Sequence, residues 1–124
     1  GSQVDWASHS NDDEDVVKQL LRFDEAVKVA TDFAQKDKHT LVVVTADHET
    51  GGLVVSGKAN KGVDSEITTH WASKSHSGIP VPLYAYGPGA LEFMGVKDNT
   101  RVPIIMADLM NIRPFPKQHP TETP

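Results

Sequence analysis

The chain has 124 residues, the size of one small domain, with 38% hydrophobic content and a net charge of −5. The negative balance and the scatter of Lys and Arg exclude nucleic acid and an anionic membrane surface as main partners, and no apolar run approaches the roughly 20 residues that span a bilayer. With no cysteine, disulfides, thiolate metal sites and a thiol nucleophile are excluded as well.

Residues 10–38 carry the clearest helical pattern. Ser10, Asn11 and Asp12 are candidate N-caps, and Asp13, Glu14 and Asp15 suit the positive end of the helix dipole. Val16, Leu20, Phe23, Val27, Ala30 and Ala34 recur at three- and four-residue spacing, with Val17 and Leu21 widening the stripe. The run from Leu41 to Thr45 is mostly β-branched, which predicts a strand buried on both faces with helices above and below, and therefore an α/β fold. A short apolar run, Leu53 to Val55, follows. Ser56 to Ser77 is polar, with an edge strand predicted around Ile67–Trp71. Val81 to Tyr86 reads as the next strand, with Pro80 and Pro82 at its start, where a missing N–H is tolerable. Thr100 to Ile112 forms a second amphipathic helix with Ile104, Ile105, Leu109 and Ile112 on its apolar face and Pro103 in its first turn. Arg113 to Pro124, proline-rich and poor in apolar residues, reads as a tail.

Three segments carry groups with metal-ligand chemistry. Asp5 and His9 are four residues apart, so a helical turn would bring both side chains to one point. Asp47 and His48 directly follow the buried strand, at the edge where open α/β sheets bind ligands, and Gly51-Gly52 lets the chain leave strand geometry there. His76 lies shortly ahead of the next strand. Carboxylate and imidazole together suit zinc. Each element taken alone has a plainer reading: an isolated Asp-x-x-x-His, a strand-end acid forming a turn, a loop histidine. Glu49 is a ligand by chemistry or a solvent-facing acid, while His39, His70 and His119 read as surface or structural residues.

Thr45-Ala46-Asp47-His48-Glu49-Thr50-Gly51-Gly52 resembles the Thr-Ala-Asp-His segment of alkaline phosphatases. The stretch from Gly1 to His9 resembles that family's Glu-Gly-Ser-x-Ile-Asp-x-x-x-His segment, and Phe23-Asp24-Glu25-Ala26 resembles its following helix. His76-Ser77-Gly78 and the run from Val81 to Ala90 resemble its His-Thr-Gly and Tyr-Gly-Pro segments. The four matches stand in the family's order over almost the whole chain.

The resemblance implies a partial three-layer α/β sandwich, a truncated central sheet with flanking helices. Residues 1–112 would be the C-terminal part of the catalytic domain and residues 113–124 a tail. It implies that Asp5, His9 and His76 bind one zinc and that Asp47 and His48 bind a second. A magnesium ion completes the family's site, its Glu ligand belonging just before Gly1 and outside this chain. The nucleophilic serine, in an Asp-Ser-Ala context matched by no serine here, and the phosphate-gripping Arg would also lie upstream, leaving no catalytic residue in the chain itself. The intact parent would hydrolyse phosphate monoesters through a phosphoserine intermediate, in the periplasm or outside the cell. The chain's partners would be those esters and the remainder of its own polypeptide, with a homodimer admitted by the resemblance. Two departures stand out: Thr50 where some relatives have a second His, and Trp6 where some have Lys or His. The chain alone is expected to be inactive, with an open strand edge at Leu41–Thr45 and with Asp5 and His9 displaced for want of an anchoring strand. The alternatives are a non-catalytic metal-binding module and a related phosphomutase or sulfatase-like hydrolase.

Overall fold

The computed structural model describes residues 1–57 and 67–116. The chain opens with two helices, α1 (Ser2–Ser10) and α2 (Asp13–Asp37), which pack on each other. Asn11 separates them. It sits in the left-handed region at φ 56°, and the backbone N–H groups of Asn11 and Asp12 close back on the carbonyls of Ser8 and Ala7. This is a Schellman-type stop, for which Asn is one of the few suitable non-glycine residues. Asp12 then takes an extended conformation and accepts the Asp15 N–H at 2.9 Å, so of the three candidate caps Asp12 is the one used. Ser10 belongs to α1, and the second helix starts three residues later than the sequence pattern places it.

The strands are β1 (Val42–Thr45), β2 (Glu49–Thr50), β3 (Val54–Gly57), β4 (Ile67–His70), β5 (His76–Ser77) and β6 (Leu83–Tyr86). Among the described residues they form three antiparallel pairs: β1 with β6, β2 with β5, β3 with β4. A 3-10 turn, Ala90–Phe93, and helix α3 (Arg101–Leu109) follow. Strand β1 was expected to be buried on both faces. Instead Val42, Val43 and Val44 are half-buried and Thr45 is exposed, because β6 is its one strand neighbour among the described residues and α2 packs on it only lightly. The architecture is α/β with a truncated sheet. The edge strand predicted near Ile67 is present as β4, and the apolar run at Leu53 leads into β3, where Val54 and Val55 are exposed.

The core is thin. Among the described residues its buried apolar members are Ala7, Val16, Ala34, Phe93, Ile105 and Ala107, half of them alanine. Ile105 is the buried member of the predicted apolar face of α3, whereas Leu109 and Ile112 remain substantially exposed. Residues 113–116 follow α3 without regular structure, and the rest of the predicted tail lies outside the described residues, as does His119. No described helix is long and apolar enough to cross a membrane.

Candidate metal centre

Helix α1 was expected to lose its place without a preceding strand, carrying Asp5 and His9 away. It holds its place because it packs on α2 and is closed by its own C-terminal stop, with Ala7 and Ser8 buried beneath it. Asp5 and His9 therefore project one turn apart from α1, both half-buried. His76 arrives from β5, whose pairing with β2 sets it opposite Thr50.

These three side chains converge. His9 Nε2 lies 3.1 Å from His76 Nε2 and 3.4 Å from Asp5 Oδ1, and His76 Nε2 lies 3.7 Å from the same oxygen. Among the described residues they form a three-ligand group. The orientation of His9 is fixed from behind: its Nδ1 is 2.7 Å from the Lys74 carbonyl oxygen, which can only accept, so Nδ1 carries a proton and, in the neutral ring that binds metal, Nε2 presents its lone pair to the cluster. Zinc in tetrahedral coordination at about 2.05 Å separates its ligand atoms by about 3.3 Å. The three distances fall on either side of that value, and two imidazoles plus a carboxylate are a donor set that leaves a coordination position open. The residues present fit the ion.

The second predicted pair borders the first group. The His48 ring stacks on the His76 ring with centroids 3.5 Å apart and planes at 20°. His48 Nε2 is 3.4 Å from Asp47 Oδ2, and the Asp47 side chain is 89% exposed at the solvent edge. The structure thus brings Asp47 and His48 to the same locality as Asp5, His9 and His76, with two donor atoms rather than three. The Thr50 hydroxyl donates to Asp5 Oδ1 at 2.6 Å. That bond chiefly holds the Asp5 carboxyl below the usual carboxylate range, helped by His9, His76 and His48 and opposed by partial desolvation. A cavity of about 600 Å³ opens beside the site, lined by Asp5, Asp47 and His48 together with apolar side chains that include Leu20, Phe23 and Val44.

Several supports had no sequence signal of their own. Asp13, read from sequence only as an acid at a helix start, accepts the Trp71 indole N–H at 2.5 Å and the Thr69 hydroxyl, fastening the segment that leads to His76 onto α2. Glu49 is not a cluster ligand: its carboxylate accepts the Gly52 N–H at 2.6 Å and the Ser77 hydroxyl, bracing the β2–β5 pair. Gly51, at φ +88°, lies so close under the Trp71 ring that a Cβ would approach it to 2.6 Å. His39 and His70 are exposed and lie outside the three-ligand group.

Residues 1–70 and 58–112 match the family described as alkaline phosphatase. The chain is 32% identical over 170 aligned positions to alkaline phosphatase 3 of Bacillus subtilis (strain 168), covering 82% of this chain and 37% of that protein. The alkaline phosphatase of the Antarctic bacterium TAB5 superposes with a TM-score of 0.80 at 37% identity, covering 89% of this chain and 33% of that one. A variant of the TAB5 enzyme with Mg bound in its M3 site gives the same TM-score and identity over 89% of this chain and 34% of that one. The chain spans about a third of the length of these relatives. By sequence and by fold it belongs to the alkaline phosphatase family.

Proposed function

We propose that this chain furnishes the zinc-ligand part of a phosphate-monoester hydrolase, with residues 1–112 as the C-terminal portion of the catalytic domain and residues 113–124 as a tail. The observation that carries this reading is the Asp5–His9–His76 triangle, with His9 already committed to presenting Nε2. One zinc would take these three side chains, and Asp47 with His48 would contribute to a second. Bound zinc ions supply Lewis-acid charge for the attacking and leaving oxygens of an in-line phosphoryl displacement. The reaction would run through a phosphoserine whose serine is not in this chain, and magnesium would be held with help from outside it. The chain's own residues hold and orient: the Lys74 carbonyl and Thr50 aim ligands, and Asp13 and Glu49 brace the segments that carry them.

The apolar part of the cavity, with Leu20, Phe23 and Val44, suits packing by the remainder of the same polypeptide. Export to the periplasm or cell exterior and a homodimeric assembly complete the proposal. Zinc titration of the chain followed by calorimetry is expected to show one site that His76→Ala removes. A stoichiometry unchanged by that substitution overturns the assignment.

A further inference from the structure

Thr50 stands between the two groups of ligands. Its Oγ1 is 2.6 Å from Asp5 Oδ1 and 3.2 Å from His48 Nδ1. An ionised carboxylate only accepts, so the single hydroxyl proton of Thr50 is directed to Asp5. The oxygen then has only lone pairs left for His48. The second contact is a hydrogen bond only if His48 Nδ1 carries the imidazole proton. That leaves the lone pair of a neutral His48 on Nε2, the atom that lies 3.4 Å from Asp47 Oδ2.

We propose that Thr50 is a positioning residue that sets one ligand of each zinc group with a single hydroxyl: it orients the Asp5 carboxylate by donation and fixes His48 as the Nδ1–H tautomer by acceptance. The position is built for this. Thr50 lies in β2, two residues after His48, and is paired across the sheet with His76, so the backbone register delivers its hydroxyl between the two groups. A ligand histidine whose other nitrogen is held in this way keeps its tautomer and ring plane, and loss of such a partner typically weakens metal binding about 10–100-fold. The zinc role rests on the function proposed above; the tautomer assignment does not.

The test separates the two. Long-range 15N–1H spectra of the zinc-free 124-residue chain, at a pH where His48 is neutral, are expected to show His48 as the Nδ1–H tautomer. Thr50→Ser should keep that pattern, and Thr50→Val should move His48 toward Nε2–H while leaving the circular dichroism spectrum unchanged. In zinc titrations Thr50→Val should weaken binding by about 10–100-fold, with Thr50→Ser restoring most of it. An Nε2–H tautomer in the unsubstituted chain overturns the proposal without need of any variant, as does an unchanged Nδ1–H signal in a folded Thr50→Val. If the tautomer shifts as expected but no variant, nor the parent chain, binds zinc, the zinc reading falls and the positioning of His48 by Thr50 stands.

Discussion

At the scale of single residues, the site is organised by atoms that touch no metal. The Lys74 carbonyl turns His9, the Thr50 hydroxyl turns Asp5, and Trp71 is pinned by Asp13. Trp6 is the contrasting case. It directly follows Asp5 on α1 and is 65% exposed. Because it contributes little to the core, Trp6→Lys is expected to change stability by less than about 0.5 kcal/mol. In a longer polypeptide with its metals bound, the added cation beside the site should tighten inorganic phosphate binding, by roughly tenfold or less given the exposure. Phosphate inhibition constants for the two proteins check this; equal or weaker binding in the variant counts against it.

At the scale of elements, the boundaries are set by local polar chemistry and by one tight approach. Asp98 accepts the Thr100 hydroxyl at 2.7 Å and the Thr100 N–H at 2.9 Å just ahead of α3. These bonds hold its carboxyl below the usual carboxylate range. The folded value being depressed, the support Asp98 gives to α3 is complete above the unfolded-state value and is lost as pH falls through the lower folded value. Amide-exchange protection in the first turn of α3, taken relative to the intrinsic exchange rate at each pH, should therefore fall on acidification, and Asp98→Asn should flatten that dependence. A variant with the same acid profile as the parent would refute it. Gly87, which closes β6, has φ +109°, and a Cβ there would come within 2.2 Å of the Thr40 carbonyl oxygen. Gly87→Ala should cost about 1–3 kcal/mol from backbone strain alone and more from displacing Thr40 ahead of β1. Chemical denaturation measures this, and a loss below 0.5 kcal/mol, about the level of an ordinary surface substitution, would contradict the close approach.

At the scale of the molecule, apolar side chains outnumber the places to bury them. Leu21, Val29 and Phe33 on α2 and Tyr84 on β6 are all more than half exposed, while the buried core among the described residues is six side chains, three of them alanine. The β1–β6 pair has no further strand on either side among the described residues. Such surfaces associate, so light scattering of the purified chain is expected to show oligomers whose size grows with concentration. The chain alone should give no phosphatase turnover with an aryl phosphate in excess zinc and magnesium, since zinc ligands do not replace a nucleophile. Turnover comparable to that of a full-length relative, with host enzyme excluded, would overturn the proposed division of labour.

The sequence by itself determined what depends on neighbours in the chain. The three- and four-residue apolar spacing gave α2 and α3, the β-branched run gave β1, and the Asp-x-x-x-His spacing showed that Asp5 and His9 would converge if their segment turned helically, without showing that it does. The ordered motifs pointed to the family that the comparisons then established. What only the tertiary structure decided depends on residues far apart in sequence. His76 meets His9 across 67 positions, and Asp13 reaches Trp71 across 58. Thr50 reaches Asp5 across 45. The split of residues 10–38 by the Asn11 stop, and the half-burial of β1, were likewise fixed by packing: α1 had α2 to lie against, while β1 had, among the described residues, one strand beside it and light cover from α2. A local pattern states what a segment can bury or bind. Whether it does so is settled by which surfaces arrive opposite it.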